Sequence, residues 1–200
     1  MGTAKTALVI EKNERIAPRE RILAAAGDLF YHHGIRAVGV EAIAEAAGTN
    51  KMTLYRHFDS KDELVAEYLR ALAAKSEAAW DRWTAEFPGD PRAQLLAWLR
   101  AMGDHVASAD ARGCALANAA VELPERDHPA RRVIEAVKKG HRDRLIELCK
   151  AADLTDPEML ADELNLLIEG ARVTAQCVGR DGLGARLVRM GEALIAAHQD

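Results

Sequence analysis

Residues 48–57 carry side chains that suit nucleic-acid chemistry. No acidic residue interrupts this stretch. Positive or titratable groups come from Lys51, Arg56 and His57, and Thr53 and Tyr55 supply hydroxyl groups. Such a mixture can hold phosphates and also reach the edges of bases. The stretch is therefore a candidate DNA contact.

The elements around this stretch predict how it is positioned. Residues 40–47 form a short alanine-rich amphipathic segment that ends at Gly48, and a second short helix follows. A helix, a glycine-containing turn and a helix make a helix-turn-helix, whose second helix enters the major groove. An earlier helix is predicted to begin at Pro18 and to end near Gly34. Leu54 and Phe58 are predicted to lie in the core shared by the three helices.

Local signals divide the remaining chain into helices. Ser60 and Glu63 form a capping box, which predicts a long helix from Lys61 to about Glu86. The stretch 87–91 contains two prolines and a glycine, and it is the clearest break. Further helices are predicted over residues 91–107, 114–123, 129–152, 157–178 and 184–198. Because no stretch alternates like a strand, the predicted fold class is all-α.

Composition restricts the classes of protein that this chain can represent. Of its 200 residues, 49% are hydrophobic and 29% charged, which is ordinary for a globular protein. The net charge of −4 gives no general attraction to nucleic acid, so any DNA-binding surface must be local. Three widely spaced cysteines and the absence of an apolar run of membrane-spanning length favour a cytoplasmic protein without a membrane partner.

The first 17 residues are interpreted as a flexible N-terminal arm. They could touch DNA through Lys5, Lys12 and Arg15. A merely solvated tail is the simpler alternative, because terminal residues are commonly poorly ordered.

The last two predicted helices carry an apolar pattern that suggests a partner. Their apolar residues recur at steps of four and three, which suits near-parallel helix packing. A second apolar line, Leu166, Gly170, Val173 and Cys177, follows another face. Two apolar faces imply two packing partners, so we expect a four-helix homodimer interface; the alternative is that one subunit buries both faces. The predicted interface residues are Leu164, Leu167, Ala171, Leu187, Met190 and Leu194.

Residues 19–69 resemble the tetracycline-repressor (TetR) family of transcriptional regulators. The resemblance is carried by Arg21-Ile22-Leu23-Ala24-Ala25-Ala26, Leu29-Phe30, Gly34, Ile43-Ala44, Ala47-Gly48, Lys51-Met52-Thr53-Leu54-Tyr55-Arg56-His57-Phe58 and Ser60-Lys61. The rest of the chain is similar to the family mainly in style, being helical with an apolar final pair.

The resemblance implies an architecture and a set of DNA contacts. It implies a helix-turn-helix domain over residues 18–62 and a larger effector-binding and dimerisation domain over residues 63–200. Tyr55, His57 and Lys61 are then phosphate contacts, and Thr53 is a phosphate or base contact. The leading end of the recognition helix, where base readers lie, holds Asn50, Lys51 and Met52. Physical sense supports these readers, because lysine suits guanine, asparagine suits adenine and methionine can touch a thymine methyl group.

Two features leave alternatives open in this region. Asn50 could equally be the N-cap of its helix. Many family members have a hydroxyl residue before the second helix and a basic residue in its first turn, where this chain has Val38-Gly39 and Glu41. Phosphate contacts by the second helix are therefore in question. Glu41 could accept from a cytosine amino group or simply favour the helix N-terminus.

The resemblance also implies a pocket for a small-molecule effector in the larger domain. Aromatic or polar groups near apolar faces are candidates to line it, namely Trp83, Trp98, Met102, His105, Asn118, Glu122, Glu169, Arg172 and Gln176. For each residue alone, a core or surface position is favoured over pocket lining. If buried, Glu169 and Arg172 would more often pair with each other at i, i+3 than bind a ligand. A hydrophobic or aromatic ligand is only weakly indicated.

The function expected from the sequence is a ligand-responsive, homodimeric transcriptional repressor that binds a pseudo-palindromic double-stranded operator. The alternative is a helical small-molecule binding protein with a vestigial helix-turn-helix. An enzyme is not expected, because no nucleophile motif or phosphate-binding loop is present. No cofactor is expected. No metal site is expected either, because Glu125 and His128 form a single Glu-x-x-His motif without a second copy.

Overall fold

The computed structural model describes residues 16–199. Residues 1–15, which include Lys5, Lys12 and Arg15 of the expected N-terminal arm, lie outside the described residues. Within residues 16–199 the secondary structure consists of nine α-helices without a strand, which confirms the predicted all-α class. The helices are α1 (Pro18–His33), α2 (Val40–Ala46), α3 (Lys51–His57), α4 (Lys61–Glu86), α5 (Pro91–Ala107), α6 (Ala115–Glu122), α7 (Pro129–Ala151), α8 (Pro157–Val178) and α9 (Leu183–Ala197).

The described chain forms two compact units. The first unit contains residues 16–71 and Ala119–Val133, and the second contains Leu72–Asn118 and residues 134–199. Helices α4, α6 and α7 each contribute residues to both units. Over residues 16–199, none of the helices combines sufficient length with the apolar character needed to cross a membrane.

Helices α1, α2 and α3 pack on one another in the first unit. Helix α1 begins at Pro18 and ends at His33. Its C-cap is Gly34, whose N–H donates to Phe30 O and whose φ of 87° suits a residue without a Cβ. Ile22, Ile43 and Leu54 are fully buried in the shared core. Burying a side chain of this kind contributes roughly 1.5–3 kcal/mol relative to leaving it exposed.

Helix α9 packs against α5 and α8 in the second unit. The backbones of α5 and α9 approach closely, since a Cβ on Gly184 would lie 2.4 Å from Gly103 O. Two indoles, Trp80 and Trp98, meet with ring centroids 6.0 Å apart inside the same core. Such aromatic pairs contribute roughly 0.5–1.5 kcal/mol beyond their buried area.

The structure corrects which apolar line of α8 and α9 faces outward. The sequence pattern predicts that Leu164, Ala171 and Leu187 meet a partner subunit, but helices of the same chain bury them. Leu167 and Leu194 are partly buried against this core, and Met190 is exposed. The line left uncovered is the second one, which includes Leu166 and Val173 with 72% and 59% of their surface exposed. The two lines have similar spacing, so the pattern alone did not indicate which of them meets α5.

Candidate nucleic-acid interface

The turn between α2 and α3 has the geometry of a helix-turn-helix. Gly48 adopts a φ of 62°, a conformation that side chains rarely take, and it lets the chain reverse direction. Thr49 N–H then donates to Ala44 O over 2.9 Å. Leu54 is fully buried and Phe58 is nearly so. One face of α3 is therefore fixed in the core, and the other faces solvent.

Asn50 is the N-cap of α3. Its side-chain Oδ1 accepts a hydrogen bond from Thr53 N–H at 2.9 Å. This bond satisfies one of the amides that an α-helix leaves free at its start. Asn50 thus fulfils the capping alternative, and the residue remains exposed.

The outer face of α3 gathers most of the predicted DNA contacts. Lys51, Met52, Tyr55 and Arg56 line a shallow open depression on this face. Met52 is 71% exposed and Tyr55 is 43% exposed. His57 is also exposed, whereas Thr53 is half-buried. The prediction omitted Arg56 from the contacts, although its position four residues after Met52 places it on the same helix face.

Glu41 and Lys51 join α2 to α3 across this surface. Lys51 Nζ donates to Glu41 Oε1 at 2.6 Å. This hydrogen bond from Lys51 holds the pKa of Glu41 below its ordinary value, and the same bond raises the pKa of Lys51. Both groups are therefore charged at neutral pH.

Lys61 begins α4 and is held against the loop between α1 and α2. Its Nζ donates to Ile35 O at 2.6 Å and lies 6.0 Å from the centroid of the Phe30 ring. Burial lowers the pKa of Lys61, against the opposing effect of the Asp62 and Glu122 carboxylates. An ammonium has three donor hydrogens, so one bond to Ile35 leaves donors for a phosphate.

Glu122 lies in the first unit, whereas the other proposed ligand-binding residues lie in the second. Its carboxylate accepts from Arg36 N–H at 2.9 Å. Arg36 also donates through Nη2 to Glu125 at 3.1 Å. A pocket-lining role was assigned to Glu122 because it is a polar group near an apolar face. The structure instead engages its carboxylate with the α1–α2 loop, through a pair 86 residues apart that no local signal indicates.

Part of the predicted effector site does come together in the second unit. Arg172 donates to Glu169 at 2.8 Å and approaches Met102 Sδ at 3.5 Å. Lys138 also donates to Glu169, at 2.6 Å. Burial acts to raise the pKa of Glu169, but the bond from Lys138 and the charge of Arg172 leave it lowered. The carboxylate is therefore ionised between two cations.

The remaining candidates for the effector site have varied surroundings. Burial, together with the charge of Arg172, lowers the pKa of His105. Trp98 is buried, and Trp83 contacts Trp80 with ring centroids 6.2 Å apart. Asn118 donates to Arg112 O at 2.8 Å. Gln176 lies against Gly113, where an added Cβ would collide with its amide.

The Glu-x-x-His motif of residues 125–128 is used for protein contacts. Glu125 binds Arg36, and His128 Nε2 lies 3.4 Å from Asp62. Across residues 16–199, no three His, Cys, Asp or Glu side chains are grouped so that they could hold a metal ion.

Comparison with known proteins places this geometry in a family. The family described as bacterial regulatory proteins, tetR family, matches residues 22–68. The crystal structure of sav143 from Streptomyces avermitilis, a TetR-type transcriptional regulator by its description, is 32% identical with a TM-score of 0.79. The match covers 92% of this chain and 98% of that one. The chain belongs to the TetR family.

Further relatives agree with membership of the TetR family. SCO4454, a TetR-family transcriptional regulator from Streptomyces coelicolor, is 28% identical with a TM-score of 0.85, covering 92% of this chain and 96% of that chain. The transcriptional repressor KstR2 of Rhodococcus jostii is 48% identical over 52 residues, or 26% of each chain. The protein is thus a TetR-family DNA-binding transcriptional regulator, and the TetR family consists of regulators rather than enzymes. The predicted family and the predicted absence of enzymatic function are confirmed.

Proposed function

We propose that this protein is a homodimeric repressor that binds a pseudo-palindromic operator and is released by a small-molecule effector. The observation that carries the proposal is the outer face of α3. It presents Lys51, Met52, Tyr55 and Arg56 to solvent while Leu54 anchors the helix in the core. This arrangement suits insertion of α3 into the major groove.

The contacts proposed for α3 divide into two groups. Tyr55 and His57, near the end of α3, and Lys61, at the start of α4, would hold phosphates and fix the register on the duplex. Lys51 and Met52, at the leading end of α3, would read base edges.

The dimer is supported by exposed apolar side chains of α8 and α9. Leu166, Val173, Val178 and Met190 are each more than half exposed. Contiguous exposed apolar surface usually marks an interaction site. A second copy of the chain is the proposed occupant, because a two-fold operator requires two recognition helices about one helical turn apart, roughly 34–36 Å.

Effector binding is proposed for the second unit, where Met102, Glu169 and Arg172 meet. Apolar surface with a few polar anchors is the usual lining of a small-molecule site. An effector that binds better to a conformer with the wrong spacing of the two α3 helices would lower the affinity for the operator. Helix α4 is the proposed lever, because it is one continuous helix that belongs to both units. The repressor role is supported by the name of KstR2, whose similarity is confined to about a quarter of the chain.

The first test is DNA binding by the purified protein. Affinity for the DNA that flanks its own gene is compared with affinity for random DNA over a series of salt concentrations. Selective binding that Tyr55→Ala abolishes is the expected result, and Tyr55→Phe shows whether the hydroxyl or the ring is responsible.

A second experiment is needed if the operator does not lie in the DNA that flanks the gene. If binding to both DNAs is weak and equal, selection from a random DNA library decides whether the operator lies elsewhere or the helix-turn-helix is inactive. Failure to select any sequence would favour a small-molecule binding protein with an inactive helix-turn-helix, the alternative that the acidic Glu41 in α2 motivates.

A further inference from the structure

A carboxylate and an ammonium group stand side by side on the surface proposed to meet DNA. Glu41 lies in the first turn of α2, and Lys51 is the first residue of α3. Their 2.6 Å hydrogen bond joins side chains that are 69% and 54% exposed. Lys51 also lines the same depression as Met52 and Tyr55. The pair is therefore positioned among the proposed base readers.

Stability does not explain why the pair is there. Exposed ion pairs add little to folding stability, because water screens them and both side chains lose freedom. Nor does attraction to the DNA backbone explain it. The carboxylate of Glu41 offsets the positive charge of Lys51 and repels phosphates, which weakens any contact based on charge alone. A surface that needed only phosphate affinity would be better with a neutral residue at position 41.

The edge of a G·C base pair complements these two groups. In the major groove, guanine presents the acceptors O6 and N7, and cytosine presents the N4 amino donor beside them. Lysine donates to the former and glutamate accepts from the latter. The hydrogen bond between Glu41 and Lys51 keeps a donor and an acceptor adjacent, as this edge requires.

We infer that Glu41 is a specificity-determining residue, and that it acts with Lys51 as a two-part reader of one G·C base pair in each operator half-site. The inference rests on the proposed insertion of α3 into the major groove. Glu41 gives up non-specific affinity for selectivity, because its carboxylate needs an amino donor on a base edge. Only a G·C pair places such a donor, cytosine N4, beside two neighbouring acceptors for Lys51, guanine O6 and N7. Over a thymine methyl group or beside a phosphate, the Glu41 carboxylate would be a charge without a hydrogen-bond donor.

The inference is tested with Glu41→Gln. Sites selected from a random library by the wild-type protein should contain one fixed G·C pair per half-site. The Glu41→Gln variant should relax the preference at this one position, because the glutamine amide can also pair with adenine, and it should keep the preferences at the other positions. In direct binding, replacing that G·C pair by A·T should weaken wild-type binding about 10- to 100-fold, which corresponds to one good base contact. The same replacement should weaken binding by the variant only a few-fold.

Non-specific binding provides an independent readout. Freed from Glu41, Lys51 can contact a phosphate, so Glu41→Gln should bind random DNA more tightly. The slope of log K against log salt should steepen by about 0.9 per added phosphate contact. Glu45→Gln is the matched control, because it removes the same charge from another exposed position of α2 that lies outside the pair. This control should keep the base preference of the wild type.

The possible outcomes distinguish a failure of the reader role of Glu41 and Lys51 from a failure of the proposed function. If the wild type selects a sequence and Glu41→Gln selects the same one, the reader role of Glu41 is overturned while the regulator remains. If Glu45→Gln changes base preference as much as Glu41→Gln, general charge rather than the pair is responsible, and the inference also fails. A wild type that selects no sequence at all would overturn the proposed function and this inference together.

Discussion

Arg36 and Glu122 are joined by two hydrogen bonds, one through the backbone N–H of Arg36 and one through its side chain. The N–H donates to Glu122 Oε2 at 2.9 Å, and Arg36 Nε donates to Glu122 O at 2.6 Å. The same carboxylate lies against Gly34, where an added Cβ would approach it to 3.1 Å. Glu122, at the end of α6, therefore fixes the loop that leads from α1 into the helix-turn-helix.

Replacing Glu122 by Ala should destabilise the protein. The change leaves the Arg36 N–H without its acceptor and removes a half-buried carboxylate from the α1–α2 loop. We expect the free energy of unfolding in urea to fall by about 1–2 kcal/mol. Glu125→Ala is the control, because it removes only an exposed ion pair to Arg36 and should change stability by less than about 1 kcal/mol. Equal losses for the two variants would show that the Glu122 carboxylate does not fix this loop.

Asn50 offers a test between capping and base reading. Asn50→Ser keeps a side-chain oxygen that can accept from Thr53 N–H, whereas Asn50→Ala does not. We expect Asn50→Ala to lower the free energy of unfolding by about 1 kcal/mol and Asn50→Ser to preserve it. Both stabilities can be measured by chemical denaturation. Because Oδ1 is engaged in the cap, Asn50→Ser should also keep the base preference of the wild type. A change at one operator position in a selection experiment would instead identify Asn50 as a reader.

Local signals predicted the elements better than the contacts between them. The predicted bounds of α4, α5 and α8 are confirmed, because each of these helices begins at a capping residue or a proline that acts within a few residues of sequence. The face of α3 also followed from the positions of Leu54 and Phe58.

Contacts between distant residues did not follow from local pattern. Arg36 and Glu122 are far apart in the chain, and neither carries a signal for the other. Glu41 and Lys51 are nearer in sequence, yet their contact depends on the angle at which the turn at Gly48 places α3 against α2. Which apolar line of α8 remains uncovered depends on where α5 packs. The periodicity of α8 does not contain that information.

The uncovered apolar line of α8 makes a prediction about assembly. Leu166→Glu should leave the fold intact, because this side chain is 72% exposed, and should convert a dimer into monomers by placing charge in the proposed interface. Light scattering measures the mass, and circular dichroism checks the fold. Val121→Glu is the matched control, since Val121 is 82% exposed on α6 and should not affect the mass.

A substitution in the buried line should behave differently. Leu187→Asp places a charge in the core of its own chain, so it should unfold the protein instead of giving a folded monomer. A folded monomeric Leu187→Asp, or a dimeric Leu166→Glu, would contradict the assignment of these two faces.

His141 on α7 makes a prediction about pH. Its Nε2 lies 3.0 Å from Ser76 Oγ. Burial lowers the pKa of His141, and the charges of Lys138, Arg172 and Arg144 act in the same direction while Glu77 opposes them. The folded state therefore takes up a proton less readily than the unfolded state, whose histidines titrate near pH 6.5. Neutral His141 therefore contributes fully to the stability of the folded state above about pH 6.5. This contribution is lost as the pH falls below that value and the histidine of the folded state takes up its proton.

The measurement is a series of urea titrations between pH 7.5 and pH 5, where His141→Gln should lose less stability on acidification than the wild type. Glutamine can still bond to Ser76 but has no proton to gain in this range. His33→Gln is the control, because His33 is exposed at the end of α1 and the wild-type slope should persist. The pKa of His105 is also lowered, so His105→Gln should remove a separate part of the slope, and the double variant should remove both parts. If the slope of His141→Gln equals that of the wild type, His141 is not a source of the acid sensitivity.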